Sequence, residues 1–211
     1  MTLSIHILLM TDCDFFPILE PKPANISADI IFLMDSSTSV DRGGFDKQKN
    51  FVKSLAKYFN VSPRNSRATV VAYGNTTRTV VKFSDYQSET NFNDMLDRQP
   101  WIGGDRRIDR ALRTAESIMR QTRSEVPKIL ILLTAGRQPR SPDVTPIGIA
   151  AQPLRNMGIK NIVVSVGSEI DRKDLLGMVQ SSDDIFSVAL FDDLRYEVQP
   201  VVKYAVNFFG E

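Results

Sequence analysis

Three side chains that carry oxygen, Asp35, Ser37 and Ser39, stand at alternate positions in a short polar stretch. Hard oxygen ligands in a tight turn suit Mg²⁺ or Mn²⁺. The stretch follows an apolar run at 30–34, which is typical of a central parallel strand buried on both faces. The carboxyl end of such a strand is the usual ligand site of an open α/β sheet. The pattern indicates a metal site; the competing interpretation is a polar turn whose serines cap a helix at 44–59.

The chain has few of the residue combinations that enzymes use for catalysis. Its one histidine, His6, and its one cysteine, Cys13, both precede the first predicted strand, which argues against Ser-His-Asp catalysis, Cys-His catalysis and cysteine-based metal sites. Asp35 could imitate a phosphoryl-transfer carboxylate, but a second acid at the right spacing and a glycine-rich phosphate loop are missing. The sequence therefore predicts a protein that is not an enzyme.

Composition limits the class of partner. The chain has 211 residues, enough for one α/β domain and a short extension, with 42% hydrophobic and 24% charged residues, as in ordinary globular proteins. Its 26 Lys and Arg against 25 Asp and Glu leave a net charge of +1, so no overall field attracts nucleic acid. No apolar run approaches the roughly 20 residues of a membrane-spanning helix, so membrane insertion is not expected.

Strand-like and helix-like patterns alternate along the chain. The segment at 79–83 is the best candidate for an antiparallel edge strand, and Pro153 should kink its helix or make it start late. The alternation predicts an α/β fold, a doubly wound (Rossmann-like) and mostly parallel six-stranded sheet with helices on both faces. Beyond the first strand, strands are predicted at 68–73, 79–83, 128–134, 162–166 and 185–188, with helices at 44–59, 92–96, 108–119, 147–157, 175–178 and 194–209.

Residues 1–27 form a predicted N-terminal extension, and the domain is predicted at 28–211. The apolar run at 3–10 is a weak match to a signal-peptide core, because no Lys or Arg precedes it and Asp12 follows it closely. A flanking linker or a remnant of cloning explains the extension equally well. Three prolines at 15–23 favour an extended linker there.

The segment Asp-Ile-Ile-Phe-Leu-Met-Asp-Ser-Ser-Thr-Ser-Val resembles the first strand and metal-site motif of von Willebrand factor A domains, and it is most similar to the collagen VI-like, extracellular matrix type. The resemblance implies a secreted adhesion module. Such a module binds other proteins through the top face, the end of the sheet where the parallel strands finish. The likeness continues through 70–73, 102–104, 128–134 and 162–167.

The resemblance also implies a ligand set, from which this chain departs. In the family, a threonine ligates the cation directly and a second aspartate does so through water; Arg106 and Ala135 stand at those positions here. We therefore expect a degenerate site in which Arg106 pairs with Asp35. The alternative is a working Mg or Mn site rescued by Asp105. The candidate metal ligands are Asp35, Ser37, Ser39 and Asp105.

Basic residues are expected near the same end of the sheet. Arg106, Arg107 and Arg137 are the candidate partner-binding residues, and they would attract acidic matrix proteins, with collagen and sulfated glycans as further candidates. A solvated surface without a partner is the simpler interpretation. Two alternative functions stay open. One is Mg- or Mn-dependent adhesion, in which a partner's acidic residue completes the coordination, and the other is an intracellular scaffold.

Three segments match the N-glycosylation pattern, starting at Asn25, Asn60 and Asn75. Pro63 follows the second match and makes it a poor acceptor. The matches agree with secretion but arise easily by chance.

Overall fold

The computed structural model describes Ala24, residues 26–85 and residues 87–210. The predictions for 1–23, which include the signal-peptide core, the proline-rich linker, His6 and Cys13, lie outside the described residues. Asn25 lies outside them as well.

The sheet has six strands in the order β3-β2-β1-β4-β5-β6, and β3 alone runs antiparallel to its neighbour. This confirms the predicted doubly wound sheet with one antiparallel edge strand. The edge strand begins two residues earlier than predicted, because the turn before it closes within 74–76 and Tyr73 already pairs with Thr77. The strands are β1 (Asp29–Asp35), β2 (Arg67–Tyr73), β3 (Thr77–Val81), β4 (Lys128–Thr134), β5 (Lys160–Val166) and β6 (Ile185–Val188).

Seven α-helices connect and cover the strands within the described part of the chain. The helix predicted at 147–157 is two short helices, since Pro153 lacks the N–H that a continuous helix needs and lies in the first turn of the second one. None of the described helices has the length and apolarity to cross a membrane. The helices are α1 (Arg42–Tyr58), α2 (Glu89–Asp97), α3 (Ile108–Met119), α4 (Ile147–Ala150), α5 (Gln152–Asn156), α6 (Arg172–Leu176) and α7 (Leu194–Gly210).

The core consists of two apolar layers, one on each face of the sheet. Alternate side chains of β1 enter opposite layers, as strand geometry requires. Phe32 packs in the layer with α1, α2 and α7, and Leu33 packs in the layer with α3 to α6. Every residue of β1 is buried, which is why its sequence is apolar without alternation.

The centre of the sheet positions the candidate site. β1 lies between β2 and β4, and the connection after β1 covers one face while α3, which precedes β4, covers the other. Open α/β sheets bind ligands at such a switch point, outside the carboxyl ends of the strands. Asp35 is the last residue of β1, and Ala135 directly follows β4.

Candidate functional site

Asp35 is completely buried at the end of β1, and the turn after it folds back on its carboxylate. The backbone N–H of Ser37 donates to Asp35 Oδ1 over 3.0 Å, and the Ser37 and Ser39 hydroxyl oxygens lie 3.2 Å apart. Gln48, from α1, anchors the strand end by accepting from the Asp35 N–H at 2.9 Å and donating to its carbonyl at 2.8 Å. The structure therefore brings together the three oxygen-bearing side chains that the sequence singled out.

The serines do not cap the following helix. The N-cap of α1 is Asp41, whose carboxylate accepts from the Gly44 N–H at 2.6 Å. The interpretation of Ser37 and Ser39 as capping residues is therefore wrong. An aspartate directly before the helix provides the shorter route to its unpaired N–H groups.

The two residues between the predicted ligands hold a second loop in place. The Ser36 hydroxyl accepts from the Ile102 N–H at 2.7 Å, and the Thr38 hydroxyl accepts from the Gly104 N–H at 2.7 Å. The Ser36 carbonyl also accepts from the Gly103 N–H at 2.8 Å. These bonds attach residues 102–104 to the turn after β1, although the two segments are more than 60 residues apart in the sequence.

Arg106 extends from that loop into the space between Asp35 and Ser39. Its Nε donates to Asp35 Oδ2 over 2.5 Å, its Nη2 donates to Ser39 Oγ over 2.5 Å, and its Nη1 donates to the Arg137 carbonyl over 3.1 Å. The residue is only 7% exposed. Asp35 Oδ2 also accepts from the Ala135 N–H at 3.0 Å. The Asp35 carboxylate is thus bound by one guanidinium and two backbone N–H groups.

Small residues after β4 leave room for this guanidinium. A Cβ atom added to Gly136 would lie 2.5 Å from Arg106 Nη1, so any side chain there would displace the guanidinium from its present position. Ala135 likewise places a methyl group beside the site where the family pattern has a carboxylate. The side chains after β4 are therefore matched to an arginine in the space above Asp35.

The other candidate residues have different environments. Asp105 and Arg137 are exposed, whereas Arg107 is buried. The Arg107 Nε donates to Asp109 at 2.9 Å, and its Nη1 donates to Asp143 at 2.7 Å. Of the three arginines predicted to bind partners, Arg106 and Arg107 are therefore buried in ion pairs within the domain. Arg137 alone of the three faces solvent.

Buried groups near the site keep well-defined charge states. Burial raises the pKa of Tyr73 far above its usual value, and the negative charge of Asp35 raises it further, so this phenol stays neutral and donates to the Leu133 carbonyl at 2.7 Å. Burial alone would raise the pKa of Asp109. The hydrogen bonds that its carboxylate accepts, the strongest of them from Arg107, outweigh burial and lower the pKa below the usual range. The hydrogen bond to Asp109 in turn raises the pKa of Arg107.

Gln48, Ser36 and Thr38 position the site, and the sequence motifs did not single them out. Gln48 had a detectable signal, because it lies three residues after Phe45 on the apolar face of α1 and is nevertheless polar. Ser36 and Thr38 had none, since their partners come from a distant loop. Among the described residues, no group of three or more His, Cys, Asp or Glu side chains could hold a metal ion.

The chain is similar in sequence to several known proteins. Residues 29–200 match the family model of the von Willebrand factor type A domain. The chain is 28% identical to human von Willebrand factor A domain-containing protein 2 over 180 residues, which cover 83% of this chain and 23% of that protein. It is 26% identical to the human collagen alpha-6(VI) chain over 87% of this chain and 8% of that one, and 26% identical to bovine vitrin over 94% and 30%. The chain thus spans less than a third of these relatives.

Solved structures of a mussel protein share the fold. Proximal thread matrix protein 1 from the mussel byssus, described as having a zinc-occupied MIDAS motif, superimposes with a TM-score of 0.78 at 27% identity, covering 88% of this chain and 47% of that one. A second crystal form gives a TM-score of 0.82 at 20% identity over 88% of this chain and 50% of the other.

Proposed function

Because the chain belongs to the von Willebrand factor type A domain family, we propose that it is a non-enzymatic protein-binding module of a secreted extracellular matrix protein. Its similarity to a collagen VI chain and to vitrin supports this assignment. The state of Asp35 supports a binding role over catalysis, since its carboxylate already accepts from three donors. A general base must lie within hydrogen-bond reach of the proton that it takes, and Asp35 is completely buried with both carboxylate oxygens already bound.

We further propose that the module works without a resident cation. The family likeness implies a divalent cation beside Asp35, Ser37 and Ser39, but the residues present do not fit one. Arg106 is hydrogen-bonded to two of these three side chains, and its fixed positive charge repels a metal ion from the same space. This contact of Arg106 with Asp35 and Ser39 is the observation that carries the proposal.

The binding surface in this proposal is the top face around Arg137. Arg137 is exposed at the end of β4, and Arg106 fixes its backbone by donating to its carbonyl. Arg107 anchors the loop at 138–145 by donating a hydrogen bond to Asp143. In this arrangement Arg106 and Arg107 position the surface, and Arg137 contacts acidic groups of a partner, such as carboxylates of matrix proteins or sulfates of glycans.

The proposal is tested by measuring binding of the chain to immobilised collagen VI and to heparin, with and without EDTA. We expect EDTA to leave binding unchanged and Arg137→Ala to weaken it about twofold to fivefold, as expected for one exposed charge pair. Arg64→Ala is the matched control, because Arg64 is also exposed but lies before β2, at the opposite end of the sheet.

Two results would contradict the proposal. Loss of binding in EDTA would favour the competing function, metal-dependent adhesion, which is supported by the zinc-occupied motif of the mussel relative. Equal binding by Arg137→Ala and Arg64→Ala would exclude Arg137 from the binding surface.

A further inference from the structure

The turn between β2 and β3 presents an N-glycosylation sequence, Asn75-Thr76-Thr77, at the surface. Asn75 and Thr76 are exposed, and the turn is closed by a 2.9 Å hydrogen bond from the Gly74 N–H to the Thr76 carbonyl. Asn75 is held through its backbone, which donates to the Gly103 carbonyl at 3.3 Å and accepts from Arg110 at 2.5 Å. Among the described residues, its side-chain amide forms no hydrogen bond. This amide can therefore carry a substituent without loss of a native contact.

The second sequon in the described residues is different. Asn60 lies two residues after the end of α1 in a left-handed conformation, with a φ of 53°. The next residue, Val61, is only 9% exposed and donates to the Ala56 carbonyl at 2.9 Å. Pro63 follows the acceptor Ser62 directly and restricts the backbone at that serine. Asn60 is exposed as Asn75 is, so Pro63 is the feature that makes Asn75 the better acceptor.

We propose that Asn75 carries an N-linked glycan, an inference that rests on the proposed secretion of the module. The glycan comes from a lipid pyrophosphate-linked oligosaccharide. The bond between the first sugar carbon and the pyrophosphate oxygen breaks, a bond from that carbon to Asn75 Nδ2 forms, Nδ2 loses one proton, and the lipid pyrophosphate departs. The transfer involves no oxidation or reduction, and the pattern requires the hydroxyl two residues after the asparagine.

The folded contacts of this sequon indicate when the transfer takes place. The Thr77 hydroxyl lies 3.0 Å from the Thr114 hydroxyl in α3, a residue that follows 37 positions later in the chain. Gly103 and Arg110, which hold the Asn75 backbone, also follow the sequon. Because all these partners follow the sequon in the chain, the sequon and its Thr77 hydroxyl lack them until the domain folds, so the unfolded nascent chain is the substrate.

The glycan has a defined place on the folded module. A Cβ atom added to Gly104 would lie 2.5 Å from Asn75 Cβ. The base of the Asn75 side chain therefore lies next to the loop that carries Arg106. Strands β2 and β3 lie on one side of β1, and β4, which precedes Arg137, lies on the other. A glycan on Asn75 therefore covers the β2 side of the top face and leaves partners an approach from the β4 side.

The test is expression of the whole chain behind a borrowed signal peptide in mammalian cells. We expect the protein in the medium to shift in mass on treatment with peptide N-glycosidase, and the released acceptor to be found as aspartate at position 75. With the third match removed by Asn25→Gln in every variant, Asn75→Gln should abolish the shift, and the control Asn60→Gln should keep it. Secreted protein without a shift, or a shift lost only in Asn60→Gln, would overturn the inference.

Two further measurements exclude simpler explanations. Thr77→Ser keeps the sequon and should keep the glycan, whereas Thr77→Val keeps Asn75 and should lose it; a glycan on Thr77→Val would contradict the assignment. Folded, unglycosylated protein added to detergent-permeabilised microsomes should stay unmodified, and equal modification of folded and nascent chains would refute the timing. Because the signal peptide is borrowed, these outcomes do not depend on where the protein naturally resides. Fractionation of the native source tests the proposed secretion separately.

Discussion

At the scale of single residues, Arg106 decides the chemistry of the candidate site. The Asp35 carboxylate is completely buried, and Arg106 contributes a balancing positive charge at 2.5 Å. Removing one partner of a buried ion pair leaves an uncompensated charge in the interior, which costs much more than an exposed pair contributes. Replacing Arg106 by a small residue would also open the space between Asp35 and Ser39, where the family likeness implies a cation. If the site works without a cation, as proposed, one residue controls both stability and metal binding.

We therefore expect Arg106→Thr to destabilise the fold by about 3–5 kcal/mol, since it leaves Asp35 buried and unpaired. The double variant Arg106→Thr, Ala135→Asp restores the hydroxyl and the second carboxylate of the family pattern. Mn²⁺ should raise the melting temperature of the double variant, because a ligand that binds only the folded state stabilises it. Thermal and urea unfolding with and without Mn²⁺ measures both effects.

The wild-type protein and the exposed variant Arg137→Ala are the controls for this experiment. Arg137→Ala should change the unfolding free energy by less than about 0.5 kcal/mol. Neither protein should respond to Mn²⁺. A clear rise in the wild-type melting temperature with Mn²⁺ would show that the arginine does not exclude the cation.

At the scale of elements, the site depends on the close approach of the turn after β2 to the loop between α2 and α3. Gly74 directly follows β2, and a Cβ atom at this position would lie 2.2 Å from the Gly103 carbonyl oxygen. Gly103 and Gly104 have φ values of 79° and 81°, which only glycine adopts without strain. Glycines thus allow the loop that carries Arg106 to lie across the end of the sheet.

Gly74→Ala should destabilise the protein by about 1–3 kcal/mol, because its methyl group meets backbone atoms that cannot rotate away. The control is Gly43→Ala in α1, where a Cβ atom would make an ordinary 3.6 Å contact with Asp41. That change should stabilise the protein by about 0.4–1 kcal/mol through the unfolded state. Urea denaturation compares the two, and a Gly74→Ala protein as stable as the wild type would show that the loops do not need this contact.

At the scale of the whole molecule, buried carboxylates paired with arginines lie at both ends of the parallel strands. Asp29, at the start of β1, is completely buried and bound by Arg67 and Arg123 at 2.7 and 2.6 Å. Burial alone would raise its pKa, but the hydrogen bonds from both arginines outweigh burial and lower the pKa below the ordinary value of 3.8. Asp109 has a similar pairing at the top face.

A lowered pKa in the folded state makes stability depend on acidity. The contribution of Asp29 is present above its unfolded pKa and is lost as the pH falls through its folded pKa. Asp29→Asn should therefore lower the unfolding free energy by about 1.5–3 kcal/mol at neutral pH, and the difference from wild type should shrink below about pH 4. The exposed pair of Lys47 and Asp192 provides the control, since Asp192→Asn should change little at any pH. A difference independent of pH would rule out the ionised pair as its source.

The architecture could be predicted from local pattern because it depends on local periodicity. Apolar runs such as 30–34 and 128–134 identify strands buried on both faces, and the stripe of α3 identifies a helix that packs on one side. The start of β3 was misplaced by two residues, since strand register depends on the pairing partner and on the turn that joins the two strands.

The sequence by itself determined the family, the order of strands and helices, and the position of Asp35, Ser37 and Ser39 at the end of a central strand. The family likeness also predicted that Arg106 pairs with Asp35, but only the tertiary structure showed that Arg107 turns away into a separate buried pair. Arg106 lies 71 residues after Asp35, and Arg107 is its immediate neighbour, yet the two guanidinium groups enter different buried networks. Contacts between distant loops set the directions of both side chains, and Gly136 leaves the space that Arg106 occupies. A local sequence pattern does not contain these long-range contacts.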